Sequence, residues 1–547
     1  MRKSFLLFSM YILTISSNAA VRSIEELKIL ATDILSQGQK AKGQVPSTVK
    51  MVVFSETDDI AVVGATGSGF VILAKDDNHE AVLGYSDSDY KDAADNREMQ
   101  WWLDCMTKSL ANGRVSKEKK PDGVADAVEP FITTHWNQNA PYNNLCPSYT
   151  TNGSVKRYPT GCVATAMAQA MNYYKYPANG TSTCLYRFNP GDGTQQTVNV
   201  VLDDIKFDWE NMLDTYKAGY NDEQAKAVAE LMQACGASVE MTYTATGSGA
   251  FTSDACKAMR LCFGYDRGIP VHYRPSESTA EFNDGVYQAL SRRYPVVFGG
   301  VSTSGGHAFI LDGYNTDGLV HVNWGWGENG GDGYFDIAGM NGYDLQQQYF
   351  ALTKDGNYPN YSSRISYTDG TIDIGKVDDT HIKVTASGGR FINGDAEGYS
   401  GNLYVVARNT STNEDFLLAT ESCDETVLSY YYFKLTNISK SFVKITGKVT
   451  DGTYRVFIAS KSDKESVYSP IRTNGESPNS YFMTVANGVI SSMEADTDVS
   501  WMASTGVKAI ANDSHVDGRK YNVVGQRVPD SYHGLIIVNG KKYLNKK

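Results

Sequence analysis

Tyr158-Pro159-Thr160-Gly161-Cys162-Val163-Ala164-Thr165-Ala166-Met167-Ala168-Gln169-Ala170-Met171 is the stretch that organises the chain. Pro159 and Gly161 break whatever precedes them, and the residues after Gly161 are good helix formers with Cys162 at their head. The pattern predicts a helix that begins at Cys162 and stops before Pro177, with the thiol at its positive end. Backbone N–H groups and the macrodipole favour an anion there and lower a thiol pKa. A thiolate is a nucleophile, whereas a neutral buried thiol is a small packing residue, the commoner fate of cysteine. The partners that the chain supplies decide between the two.

A cysteine nucleophile needs a base for its proton, donors for an oxyanion, and a group that orients the base. The base candidate is His307, in Gly305-Gly306-His307-Ala308-Phe309-Ile310-Leu311, where two glycines allow close approach and an apolar strand follows. A protonated His307 beside Cys162 would depress the thiol pKa further. His321 is the rival, but by strand alternation from Leu319 it can face the other way. Asn323 ends the next strand, and a strand–turn–strand return over that spacing would set it beside His307 as the orienting group, with Trp324 as cover. Gln138, upstream, is the oxyanion donor together with the backbone N–H of Cys162. The order Gln, Cys, His, Asn is papain-like.

With these residues in place, the chain resembles the streptopain-like cysteine peptidases, which bacteria secrete as zymogens. The resemblance rests on Gly161–Gln169, on Gly306-His307-Ala308-Phe309, on His321-Val322-Asn323-Trp324-Gly325-Trp326-Gly327, and on Trp136-Asn137-Gln138 with Pro141-Tyr142. It spans residues 126–358. It implies Cys162 as nucleophile, His307 as base, Gln138 as oxyanion donor, and Asn323 with Trp324 as the pair supporting the histidine. Which of that pair makes the bond stays open, because Asn-Trp-Gly-Trp is spaced differently from papain's Asn-Ser-Trp. Met241-Thr242-Tyr243 and Gly247–Ala250 fall where the family shapes its substrate cleft. Residues 20–125 resemble the family's inhibitory propeptide, notably at Gly69–Ala74 and Ala81–Asp87.

Outward from that centre, 547 residues are too many for one core and suggest about three to four domains. The net charge of −12 argues against a nucleic-acid partner. Arg2 and Lys3, an apolar run from Phe5 to Ile15 and Ser17-Asn18-Ala19 read as a signal peptide over residues 1–19. No later run is long enough for an integral membrane segment. The eight cysteines form no C-x-x-C pair, and neither a metal nor a cofactor is expected.

The expected fold is therefore an α+β papain-like peptidase domain over residues 126–358, after a small α+β prodomain over 20–125. Gly64–Gly69 lacks the Gly-Lys-Ser/Thr ending of a phosphate loop and is taken as a turn. Lys117–Gly123 reads as an exposed linker and a maturation site. Strand-like alternation with turns at sandwich spacing follows over 359–485, and a linker with a short β-rich tail over 486–547. Helices are expected from Asp222 to Cys235, stopped by Gly236, and from Thr279 to Arg292. Tyr521-Asn522, Gly525–Val528, Gly534–Ile537 and Gly540-Lys541-Lys542 resemble the C-terminal signals of type IX secretion, which implies outer secretion machinery as a partner and a secreted or cell-surface location. The expected function is a secreted cysteine endopeptidase acting on proteins or peptides, with its own prodomain as inhibitor. The alternatives are a silent adhesion or capture protein on a peptidase scaffold, and an acyl transferase or amidase using the same residues.

Overall fold

The structure is a computed structural model that describes residues 21–41, 49–91, 96–111, 120–274, 277, 279–302, 305–337, 345–357, 363–423, 426–427, 432–433, 442–473, 478–496, 498 and 501–502, with strand backbone at 520–522, 527–528, 534–538 and 541–545. The expected signal peptide, residues 1–19, and the start of the linker, residues 117–119, lie outside the described residues. The chain divides into two compact units, Met1–Thr497 and Asp498–Lys547.

The first unit opens with α1 (Ile24–Ala41), β1 (Val52–Glu56), β2 (Ile60–Ala65), β3 (Gly69–Ala74), β4 (Val82–Ser86) and α2 (Arg97–Ala111). A capping box starts α1: the Ser23 amide donates to Glu26 Oε2 at 2.7 Å and the Glu26 amide to Ser23 Oγ at 3.3 Å. Alternation along the strands feeds two cores. Ala61, Val63, Val71 and Leu73 receive Leu27, Ala31 and Leu35 of α1. Ile60, Val62, Phe70 and Ile72 face the main core with Trp102 of α2. The glycine-rich run is the β2–β3 turn, as its missing lysine implies.

Two hairpins then bracket the nucleophile: β5 (Ser148–Thr151) with β6 (Ser154–Arg157) before α3 (Cys162–Tyr174), and β7 (Thr183–Phe188) with β8 (Gln196–Val201) after it. There follow α4 (Asp222–Ser238), α5 (Thr252–Leu261), β9 (His272–Tyr273), α6 (Thr279–Ser291), β10 (Val296–Ser302), β11 (Gly305–Tyr314), β12 (Val320–Asn323), β13 (Gly333–Phe335) and β14 (Leu345–Ala351). The expected stop of α4 at Cys235 is corrected, since the helix runs through Gly236 to Ser238. A Cβ at Gly236 would collide with the Tyr243 hydroxyl, so this glycine serves close packing and does not end the helix.

One ten-stranded sheet runs β1-β2-β3-β4-β13-β12-β11-β10-β14-β9. The N-terminal module therefore continues the sheet of the following region, with Tyr85 paired to Tyr334 and Gly84 to Phe335. The Ser86 hydroxyl donates to the Asp332 carbonyl at 2.6 Å and the Trp102 indole N–H to the Asp336 carbonyl at 2.9 Å. No described helix is long and apolar enough to cross a membrane.

From residue 363 to 496 the regular elements are all strands, around a separate core that includes Ile374, Val384, Leu403, Val405, Tyr454, Val456 and Met483. The hairpin Ser480–Ala486 with Val489–Asp496 belongs to the same six-stranded sheet as Gly401–Asn409 and Gly452–Ser462. That layer therefore passes residue 485, where the composition turns polar, because much of the outer strand faces solvent. The second unit carries strands Lys520–Asn522, Arg527–Val528, Gly534–Val538 and Lys541–Asn545 in one small sheet.

Candidate active site

Cys162 is the first residue of α3. Gly161 before it has φ +89°, and a Cβ there would press on Met241 at 2.8 Å, so this position requires glycine. Gly161 provides no side-chain cap, so none of the first-turn amides is spent on one. The Thr165 amide and hydroxyl both donate to the Gly161 carbonyl at 3.1 Å, which fixes the turn under the thiol. Cys162 is half-buried, while Val163 to Asn172 are buried. The other thiols differ. Burial pushes Cys146 and Cys256 up to about 12 and Cys184 to about 11, and raises Cys235 and Cys262 as well. Those sulfurs stay protonated at neutral pH.

Gln138 is tied to the segment leading into Cys162, because the Thr160 amide donates to the Gln138 carbonyl at 3.0 Å. Asn143 Nδ2 donates to the Tyr158 carbonyl at 3.1 Å and braces the same segment. Gln138 is only 5 % exposed, yet its side-chain amide makes no hydrogen bond with any described residue. An unspent buried amide beside a helix N-terminus is an available donor for an anion.

His307 lies on β11, opposite Gly300 of β10, and α3 packs against β11. It is half-buried. Its rival His321 is committed elsewhere: its Nδ1 meets Asp312 Oδ1 at 2.6 Å. Asp312 Oδ2 also accepts the amides of Phe131 at 3.1 Å and Ile132 at 2.9 Å, so this pair ties the segment leading to Gln138 onto the sheet. Burial opposes the charge on His321, but Asp312 outweighs it and raises the imidazole pKa. A raised folded pKa gives stability that is whole below the unfolded value of about 6.5 and fades as pH rises through the folded value. Thermal unfolding across that range should show the loss, and His321→Gln should flatten the slope; an unchanged slope would place the titration elsewhere.

Asn323 is expected beside His307, and the register gives its backbone place. Asn323 pairs with Ile310, three residues along β11 from His307. The turn after Tyr314 and the bulge at Asp312 set that register, and one step of register decides which side chains meet. Asn323 Nδ2 donates to the Thr134 carbonyl at 2.8 Å, and its Oδ1 accepts Gln169 Nε2 and the Gly325 amide, each at 3.1 Å. Trp324 is buried, lies edge-on to Phe309 at 4.8 Å and Phe335 at 5.0 Å, and its indole N–H has no hydrogen-bond partner among the described residues. Phe309, two residues along β11 from His307, shares its strand face, and Trp324 packs on that phenyl ring.

Two residues escaped the sequence reading. Asp332 Oδ1 accepts the Trp324 amide at 2.8 Å while its Oδ2 meets His135 Nδ1 at 3.1 Å, and this hydrogen bond raises the His135 pKa. Gln169 is fully buried in α3; an amide among alanines and methionines was the available signal. Among the described residues no group of three or more His, Cys, Asp or Glu could hold a metal ion.

Residues 136–335 match the model of the Peptidase C10 family. Streptopain of Streptococcus pyogenes serotype M28 (strain MGAS6180) is 29 % identical over 346 residues, which cover 59 % of this chain and 80 % of that protein. Thiol protease/hemagglutinin PrtT of Porphyromonas gingivalis is 29 % identical over 310 residues, 51 % of this chain and 35 % of that one. A solved fragment of Prevotella intermedia prointerpain A, a mutant carrying alanine for a cysteine, superposes with a TM-score of 0.50 at 34 % identity, covering 55 % of this chain and 97 % of the fragment. The chain therefore belongs to the Peptidase C10 family, and it is a cysteine-type peptidase.

Proposed function

We propose that Cys162 is the nucleophile, His307 the general base and acid, and Gln138 the oxyanion donor of an endopeptidase made as a zymogen. The Cys162 thiolate attacks a peptide carbonyl. The oxyanion forms between Gln138 Nε2 and the Cys162 backbone N–H. His307 protonates the leaving amine, then takes a proton from water, which breaks the acyl-enzyme. Trp324 keeps water from the His307 side. The unspent Gln138 amide next to the head of α3 is the observation that carries this reading.

The module over 20–125 acts as the inhibitor and is released by cutting within 117–128, the charged and Pro/Gly-broken linker. Export through the signal peptide and recognition of the tail by outer secretion machinery complete the proposal, supported by Arg2-Lys3 before the apolar run and by the Gly/Lys-rich end. The test is the full chain after the signal, held under mild reductant, with both ends read by mass spectrometry before and after export. The wild type should trim itself within 117–128 and then digest casein. Gln138→Ala should lose about 10²–10³-fold in kcat with little change in KM. A Gln138→Ala kcat within threefold of wild type would remove Gln138 from the mechanism.

A further inference from the structure

We infer that Gln169 is a positioning residue that holds the oxyanion side of the site against the nucleophile helix, an inference that rests on the roles given above to Cys162 and Gln138. Gln169 follows Cys162 by seven positions, two turns along the same face of α3. It is 0 % exposed, and its amide is spent wholly on other segments. Its Oε1 accepts the Thr134 hydroxyl and the Trp136 amide at 3.1 Å and Asn323 Nδ2 at 3.3 Å. Its Nε2 donates to Asn323 Oδ1 at 3.1 Å, and Asn323 Nδ2 returns to the Thr134 carbonyl at 2.8 Å.

This closed ring joins three stretches of chain. Thr134–Trp136 leads directly into Gln138. Asn323 opens the loop carrying Trp324, and Gly325 of that loop sits so close to α3 that a Cβ would lie 3.3 Å from Thr165, one turn from Cys162. A buried amide bonded through both its oxygen and its nitrogen rigidifies its neighbours, and one stripped of its partners is costly. An apolar residue would suit this helix face equally well for packing alone. The amide instead links the segment of the oxyanion donor, the nucleophile helix and the loop carrying Trp324. Loss of the ring lets the Gln138 segment shift relative to Cys162, and a small shift at an oxyanion donor costs kcat far more than KM.

The experiment compares Gln169→Met, close in volume, with Thr134→Val, which is isosteric and removes a single bond of the ring. Each is measured in the trimmed enzyme for kcat and KM on a peptide substrate, and for the pH dependence of Cys162 alkylation by iodoacetamide, a reaction that needs no oxyanion donor. We expect kcat to fall about tenfold or more in Gln169→Met and about threefold in Thr134→Val, following the scale of misplaced catalytic groups. KM should stay within about threefold and the alkylation profile should not move. A kcat within twofold of wild type in both variants, or alkylation falling in step with kcat, overturns the inference. If Gln169→Met does not fold, Thr134→Val alone decides. Cys162→Ala is the control: if it still hydrolyses the peptide, the site reading has failed, whereas an inert Cys162→Ala beside fully active ring variants removes only the role of Gln169.

Discussion

Cys162→Ala should abolish peptide hydrolysis, with a loss on the order of 10⁶-fold in kcat, the scale seen when a covalent nucleophile is removed from an otherwise intact site. The thiols buried in the core cannot substitute. Cys146, Cys235 and Cys256 are buried and their pKa values are raised by that burial, so none offers a thiolate at neutral pH. Gln138 and the helix N-terminus remain in the variant, but a donor without an attacking sulfur only polarises a carbonyl. The substitution should leave the fold alone. Cys162 is half-buried at the head of a helix, alanine is the best helix former, and no cap is lost because Gly161 provides none. The variant should therefore unfold within a degree or two of wild type, remain full length under reductant, and digest nothing even after the linker is cut by an added protease. Casein hydrolysis by Cys162→Ala above about one per cent of wild type would refute the nucleophile assignment.

The chemistry of the site was legible where it is local. A helix start after Pro159 and Gly161, a glycine pair before His307 and an aromatic–glycine loop after Asn323 are short-range signals, and each predicted its element. What stayed hidden depends on register and on long-range bonds. The place of Asn323 turns on a bulge at Asp312, which no hydrophobic pattern records. Gln169 finds Asn323 across 154 positions, and Ser86 finds Asp332 across 246. The same distance hid the continuity of β4 with β13, so an apparently separate N-terminal module proved to share a sheet with the chemistry. Helix α5 was missed because its apolar run is short and ends in Arg260, a residue that periodicity assigns to solvent but the fold buries.

Arg260 carries the second large effect. Its side chain is 1 % exposed and donates to Asp395 at 2.8 Å and Glu397 at 3.2 Å, both on the strand-rich region beyond residue 362, and also to the Ile269 carbonyl. Glu397 further accepts Arg267 Nη2 at 2.8 Å and Lys464 Nζ at 3.1 Å. Burial alone would raise the Glu397 pKa, but the Arg267 and Lys464 hydrogen bonds and charges overcome it and hold the carboxyl at about 2. A depressed carboxyl gives stability that is present above its unfolded value of about 4.3 and fades as pH falls toward the folded one. This contact should therefore hold at mildly acidic pH. Arg260→Ala leaves the buried Asp395 without its ion-pair partner and takes one of three cations from Glu397, and breaking a buried pair on one side costs about 3–5 kcal/mol. The outlying pair Arg472–Glu281, at 2.6 Å but 21 and 26 % exposed, should cost no more than about 1 kcal/mol when Arg472 is replaced by alanine. Urea unfolding of the two variants separates these values, and limited proteolysis should release the region beyond 362 from Arg260→Ala first. Equal, small losses in both variants would mean that packing and not this charge cluster holds the strand-rich region to α5. The expected inequality would instead make that region part of the peptidase's rigid body, because the helix it grips begins at Thr252, whose hydroxyl lies against Gly299, next to the residue paired with His307.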